Sequence, residues 1–179
     1  MKDQQLAERC RRLKLVLSDV DGVMTDGTVL LLPDGLEAKA FNIRDGLGIV
    51  LAQRAGLKLG LISGRSAESV ARRAAELRMA VVRQGVRDKG AELRSVLAEL
   101  RLSPLEVAYI GDDVNDLPVI TQVGLSAAPA DAPFEVRNAA FMVTEAAGGR
   151  GCLREFLEAI LRARGDWERV LAEIGVALP

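Results

Sequence analysis

The chain has 179 residues, 49% hydrophobic and 27% charged, with a formal net charge of −1, a balance that suits a packed chain rather than a disordered one. The length could just hold two small domains, but no linker divides it and one domain over residues 1–179 is expected. The near-neutral charge and a single Trp and Tyr exclude a nucleic-acid partner held by phosphate neutralisation or base stacking. The absence of histidine excludes histidine-activated nucleophiles, histidine zinc sites and histidine acid/base catalysis.

From the N-terminus, "MKDQQLAERCRRLK" has no apolar core, and no apolar run approaches ~18 residues, so neither a leader nor a membrane span is expected. Cys10 and Cys152 are read as reduced structural thiols of a cytoplasmic protein. "LKLVLS" (13–18) is the first buried strand. "TVLLLPDGLEAKAFNI" (28–43) then reads as two strands joined by a Pro-Asp-Gly turn, a hairpin too apolar to stand solvated. A helix over about 46–55, the strand "LKLGLIS" (57–63) and the helix "SAESVARRAAELR" (66–78, with Ser66 as N-cap) follow. Next come the strand "MAVV" (79–82), the helix 88–101, the strand "EVAYIG" (106–111), a helix over 113–122 and the strand "VGLSAA" (123–128). The chain closes with a helix over 151–164 and a helical tail over about 166–179. Near-continuous apolar strands alternating with helices make this an α/β protein, a doubly wound parallel sheet with helices on both faces.

Ligands of such a sheet bind beyond the carboxyl ends of its strands, and the chemistry-bearing residues collect there. Asp19 and Asp21 follow the first strand, Ser63 the second, Lys89 opens the helix after the third, and Asp112, Asp113 and Asp116 of "GDDVND" follow the fourth. Two carboxylates one residue apart repel unless a cation compensates them or they divide acid and base roles. The set fits phosphoryl transfer with Mg2+, which prefers carboxylate and phosphate oxygens. Asp19 is the expected nucleophile and Asp21 the acid and then the base. Ser63 and Lys89 are expected to hold phosphoryl oxygens and offset charge. Asp19, Asp21 and Asp112 form the expected metal site. At least one of Asp113 and Asp116 is expected to support the metal or orient the lysine, the other reading being a charge at a helix N-terminus.

"DVDGVMTDG", "ISGR", Lys89 and "GDDVND" resemble, in order and spacing, the four motifs of the haloacid dehalogenase superfamily of aspartyl phosphatases. With "KAFNIRDGLGI" (39–49) and "AGGRG" (147–151), nearly the whole chain resembles that superfamily's 3-deoxy-D-manno-octulosonate 8-phosphate phosphatase family. The resemblance implies a branch without a cap domain, the hairpin standing in its place, and a homotetramer in which hairpins meet and a neighbour helps close the site. It implies hydrolysis of the eight-carbon sugar acid phosphate, a step of lipopolysaccharide precursor synthesis. It further implies substrate contacts at Asp21, Asn42, Ile43, Arg44, Asp45, Gly46, Arg65, Arg73 and Lys89, with Arg150 either a gate over the substrate or a surface residue. Arg65 and Arg73, eight residues apart, are expected to share a helix face roughly and to read the substrate carboxylate. Val50 stands where that family is expected to carry an arginine.

Three rivals remain at this level. A nine-carbon keto acid 9-phosphate phosphatase would tend to carry an acidic residue at the place of Arg65. A phosphorylatable receiver domain would carry its aspartate after the third strand. A non-catalytic oligomerisation module would have no need of both Asp19 and Asp21.

Overall fold

The computed structural model describes residues 2–33 and 37–176. Six strands form one parallel sheet: β1 (Leu15–Ser18), β4 (Lys58–Ile62), β5 (Val81–Arg83), β6 (Val107–Ile110), β7 (Leu125–Ala128) and β8 (Met142–Val143), in the order β5-β4-β1-β6-β7-β8. A separate pair, β2 (Leu30–Leu31) and β3 (Glu37–Ala38), is antiparallel, with Leu30 opposite Ala38 and Leu31 opposite Glu37. The helices are α1 (Lys2–Arg12), α2 (Ile43–Arg54), α3 (Glu68–Glu76), α4 (Lys89–Leu100), α5 (Leu117–Ile120), α6 (Phe134–Ala139), α7 (Cys152–Arg164) and α8 (Trp167–Glu173).

The apolar strands have a simple cause. Side chains alternate across a strand, so in β1 Val16 enters the core shared with Ile49, Leu153 and Phe156, while Leu15 and Leu17 enter the opposite one with Leu93, Val96 and Tyr109. A strand buried on both faces has no place for a polar residue until it ends. The chain builds outward from β1 through β4 to β5, then returns to add β6 on β1's other side. That reversal opens a crevice at the carboxyl ends of β4, β1 and β6.

Where the structure departs from expectation, the reasons are local. Helix α3 begins at Glu68, with Ala67 at its N-cap, so Ser66 does not cap it; the Ala67 N–H donates instead to Gln84 Oε1 (2.9 Å). The helix expected over 113–122 opens as a 3₁₀ turn, Val114–Asp116, and continues as α5. Helices α1 and α6 and strand β8 have no counterpart in the sequence-based expectation. The hairpin's Asp34 and Gly35, expected to turn it, lie outside the described residues, as do the last residues of the expected tail, 177–179. Val29, Leu30, Leu31 and Leu32 are exposed.

Candidate active site

Asp19 is the first residue past β1, and its N–H donates to Ile110 O of β6 (2.9 Å), which fixes where its carboxylate begins. The chain then folds back tightly, the N–H groups of Met24 and Thr25 both donating to Val20 O (2.9 and 3.0 Å). Gly22 sits in this turn at φ +86°, and a Cβ there would collide with the Asp112 carboxylate. Only glycine meets both demands.

Lys89, N-capped into α4 by Asp88, is almost wholly buried, with Nζ 3.0 Å from Asp19 Oδ1 and 2.6 Å from Asp116 Oδ1. Burial works against its charge, but the facing carboxylates outweigh it and raise its pKa. Asp116 is fully buried and spends both oxygens: Oδ1 on Lys89 and the Tyr109 hydroxyl (2.5 Å), Oδ2 on the N–H groups of Asp112 (3.0 Å) and Asp113 (3.3 Å). It therefore orients the lysine and shapes the loop carrying Asp112. Asp113 caps the 3₁₀ turn, accepting from the Val114 N–H (2.7 Å).

Carboxylate oxygens of Asp19, Asp112 and Asp116 lie within 4.8 Å of one another, the acidic cluster found among the described residues. Burial is the main cause that pushes Asp19 up to about 6, with Lys89 opposing it. Burial and then the charges of Asp19 and Asp116 push Asp112 up to about 8. Like charges this crowded need a cation between them. With Asp116 committed, Asp19 and Asp112 are the donors left, and their hard oxygens fit Mg2+. The Asp21 carboxylate, expected among the metal ligands, stands outside this cluster: its Oδ1 pairs with Lys39 and accepts from the Thr25 hydroxyl (3.4 Å).

Above these groups opens a cleft of about 250 Å³, lined by Asp19, Asp21, Ser63, Arg65, Asp112 and Asp113 among others. Ser63 follows β4, its N–H held by Arg83 O (2.8 Å) and its Oγ accepting from the Arg65 N–H (3.2 Å). Arg65 precedes α3, so the helical spacing expected to set it beside Arg73 does not operate. Its Nη2 pairs with Glu37 Oε2 (2.8 Å), and Glu37 in turn holds Lys39 (2.8 Å). Hydrogen bonds from Arg65 and Lys39 keep the Glu37 carboxyl down at about 2. The sequence reading missed Glu37, Lys39 and Tyr109. For the first two a signal existed: two residues apart in an extended chain, their side chains leave on the same side.

The remaining expected contacts do not line this cleft. Asn42 N-caps α2 through the Arg44 N–H (2.9 Å), donates to Gly149 O (3.3 Å) and borders a second depression with Asp26, Phe41 and Arg150. Ile43 and Arg44 are exposed, and Arg150 is exposed beside Asp26 (4.0 Å). Arg73 lies over Gly46 and pairs with Glu76 (2.8 Å). Asp45 is buried and accepts from the Arg154 N–H (2.7 Å) in the first turn of α7, so its occupation in the chain is to tie α2 to α7. The loop bearing Arg150 is pressed against the turn after β1: a Cβ on Gly148 would meet Gly22 O, one on Gly149 the backbone of Thr25 and Asp26, and the Gly149 N–H donates to Val23 O (2.8 Å).

Residues 78–154 match the haloacid dehalogenase-like hydrolase family model. The chain is 42% identical over 161 residues to the 3-deoxy-D-manno-octulosonate 8-phosphate phosphatase of Yersinia pestis, covering 90% of this chain and 86% of that one. Among solved structures, a probable YrbI family phosphatase from Pseudomonas syringae pv. phaseolica superposes with a TM-score of 0.93 at 44% identity, covering 98% of this chain and 99% of that one. The 3-deoxy-D-manno-octulosonate 8-phosphate phosphatase of Moraxella catarrhalis, solved with magnesium, phosphate and KDO, superposes with a TM-score of 0.92 at 33% identity, covering 96% and 98%. By its four-strand acidic site and by these likenesses, the chain belongs to the 3-deoxy-D-manno-octulosonate 8-phosphate phosphatase family of haloacid dehalogenase-like hydrolases.

Proposed function

We propose that this protein is a Mg2+-dependent phosphatase that hydrolyses 3-deoxy-D-manno-octulosonate 8-phosphate to the free sugar acid and inorganic phosphate, in the supply of lipopolysaccharide precursors. The observation that carries the reading is Asp19 set between the buried ammonium of Lys89 and the Asp112 carboxylate, at the floor of a cleft that Asp21 also lines.

Asp19 and Asp112 would hold the metal, which when bound neutralises phosphoryl oxygens and aligns phosphorus with Asp19. An Asp19 oxygen attacks phosphorus while the ester P–O bond breaks, and the departing alkoxide takes the proton of Asp21. Asp21, now a carboxylate, removes a proton from water as that oxygen attacks the aspartyl-phosphate. The P–O bond to Asp19 breaks, and phosphate leaves with Asp19 and protonated Asp21 restored. Ser63 bonds a phosphoryl oxygen, and Lys89 offsets charge on Asp19 and the phosphoryl group throughout.

We further propose one phosphatase domain across the chain and a cytoplasmic homotetramer. The exposed leucines of the hairpin support the assembly, since a bare apolar strand of this kind marks an interface. The free buried thiols Cys10 and Cys152 suit a reducing compartment. In this reading the exposed Arg44 and Arg150 serve a neighbouring subunit's cleft and Arg65 reads the carboxylate from within, while Asp45 and Arg73 stay committed inside their own chain. Phosphate release from the eight-carbon sugar acid phosphate, with and without Mg2+ and beside the nine-carbon 9-phosphate, tests the proposal. Full turnover by Asp19→Asn, or indifference to chelation, would reject it.

A further inference from the structure

Each aspartate of the catalytic pair has a buried lysine of its own. Lys89 serves Asp19. Lys39, just past β3, serves Asp21, and its side chain is only 1% exposed. A buried ammonium is costly unless carboxylates surround it, and Lys39 has two: Asp21 Oδ1 on one side and Glu37 Oε1 (2.8 Å) on the other. Lys39 and the Thr25 hydroxyl both engage Asp21 Oδ1, while Oδ2 is buried without a hydrogen-bond partner. The carboxylate is thus tethered through one oxygen with the other enclosed, so the ammonium fixes how Asp21 presents itself to the cleft it lines. Glu37 also holds Arg65 at the cleft rim (2.8 Å), so the hairpin, the rim and the acid/base group form a single row of alternating charges.

We propose that Lys39 is a positioning residue of the hydrolysis: its ammonium clamps Oδ1 of Asp21 and so fixes the carboxyl group that meets the leaving oxygen in the first step and water in the second, while Glu37 holds Lys39 from behind. The inference rests on the phosphatase reading and deepens it. In the first step the Asp21 carboxyl protonates the alkoxide as the ester bond breaks; in the second, its carboxylate takes a proton from water as the water oxygen bonds phosphorus and the bond to Asp19 breaks. Both steps depend on where the Asp21 carboxyl points, and misplacement by about 1 Å costs on the order of 10²-fold.

The test compares two esters on the intact protein with saturating Mg2+. A sugar alkyl phosphate needs a proton for its leaving group. p-Nitrophenyl phosphate does not, because nitrophenolate departs as a stable anion. In Lys39→Met, kcat on the alkyl phosphate should fall roughly 10²-fold with KM near the parent's. On p-nitrophenyl phosphate the first step is spared and the second is slow, so rapid mixing should show a burst approaching one nitrophenolate per active site. A Lys39→Met enzyme with parental kcat, or one slowed equally on both esters without a burst, overturns the proposal. If circular dichroism shows that variant unfolded, Glu37→Gln carries the test, with the same burst and a smaller loss expected; no burst overturns it. A parent protein inactive on every phosphate ester would instead reject the phosphatase reading itself.

Discussion

Replacing Asp45 by Asn should stabilise the protein, and by an amount that depends on pH. Asp45 is buried between α2 and α7, where burial pushes its carboxyl from 3.8 to about 6, against the opposing pull of the Arg154 N–H, Arg154 and Arg73. Because the folded pKa is the higher one, the native state binds more protons than the unfolded chain between those values. Stability from this group is therefore fully present below about pH 4 and falls as pH rises to about 6, then stays level. At about 1.36 kcal/mol per pH unit the cost of the ionised form is at most about 3 kcal/mol. Asparagine keeps an oxygen to accept from the Arg154 N–H and never ionises. For a chain of this size about 1 kcal/mol shifts Tm by roughly 2–4 °C, so Asp45→Asn should melt roughly 6–12 °C above the parent at pH 8 and alongside it near pH 4. Differential scanning calorimetry of both proteins, at one concentration across that range, reads the difference directly. Other groups titrate in both and cancel. A pH-independent difference, or a variant less stable at pH 8, would refute the reasoning.

Removing the guanidinium in Arg65→Ala should lower kcat/KM for the keto acid phosphate roughly 10- to 150-fold, from a lost charged contact of about 1.5–3 kcal/mol. A small ester without a carboxylate should be hydrolysed almost unchanged, and equal losses on both would move the carboxylate clamp elsewhere. Leu30→Glu with Leu32→Glu should convert the assembly to a monomer by light scattering and lower activity with it; a fully active monomer of the parent protein would contradict a shared site. Gly22→Ala places a Cβ on the Asp112 carboxylate at a positive φ. That conformation alone costs about 1–2 kcal/mol, so the Mg2+ concentration for half-activation should rise about tenfold or more, and an unchanged value would separate Asp112 from the metal.

Much of the site was legible because its residues sit where local patterns end. Asp19 and Ser63 each terminate a strand too apolar to tolerate them earlier, and Lys89 opens a helix whose N-cap, Asp88, precedes it. The parallel, doubly wound class followed from the same apolar runs, while the strand order came only with the structure. What escaped has its cause in pairing across distance. Lys39 meets Asp21 from 18 residues away, and only the folded hairpin brings them together. Tyr109 looks like one more apolar residue of β6 until its hydroxyl finds Asp116. Arg65 and Arg73 were set on one helix by spacing, but α3 starts three residues after Arg65, at a boundary that Gln84 fixes from the next strand's end. Helix α1 is polar enough to pass as a solvated segment, and its packing on α7 is invisible in a local window.

The seating of Gly148 and Gly149 against the turn that carries Asp19 and Asp21 also sets a timetable for synthesis. The Cys152 thiol that donates to Val23 O lies 129 residues beyond its acceptor. At 5–20 residues per second a ribosome needs about 6–26 s to traverse that gap, and contacts so distant in sequence form late in folding. Throughout that interval the nascent chain carries Asp19 and Asp21 on a turn whose outer wall has not been made. Hydrolytic competence therefore arrives with the final quarter of the polypeptide, and a chain stalled before residue 148 would display the motif without the means to hold it still.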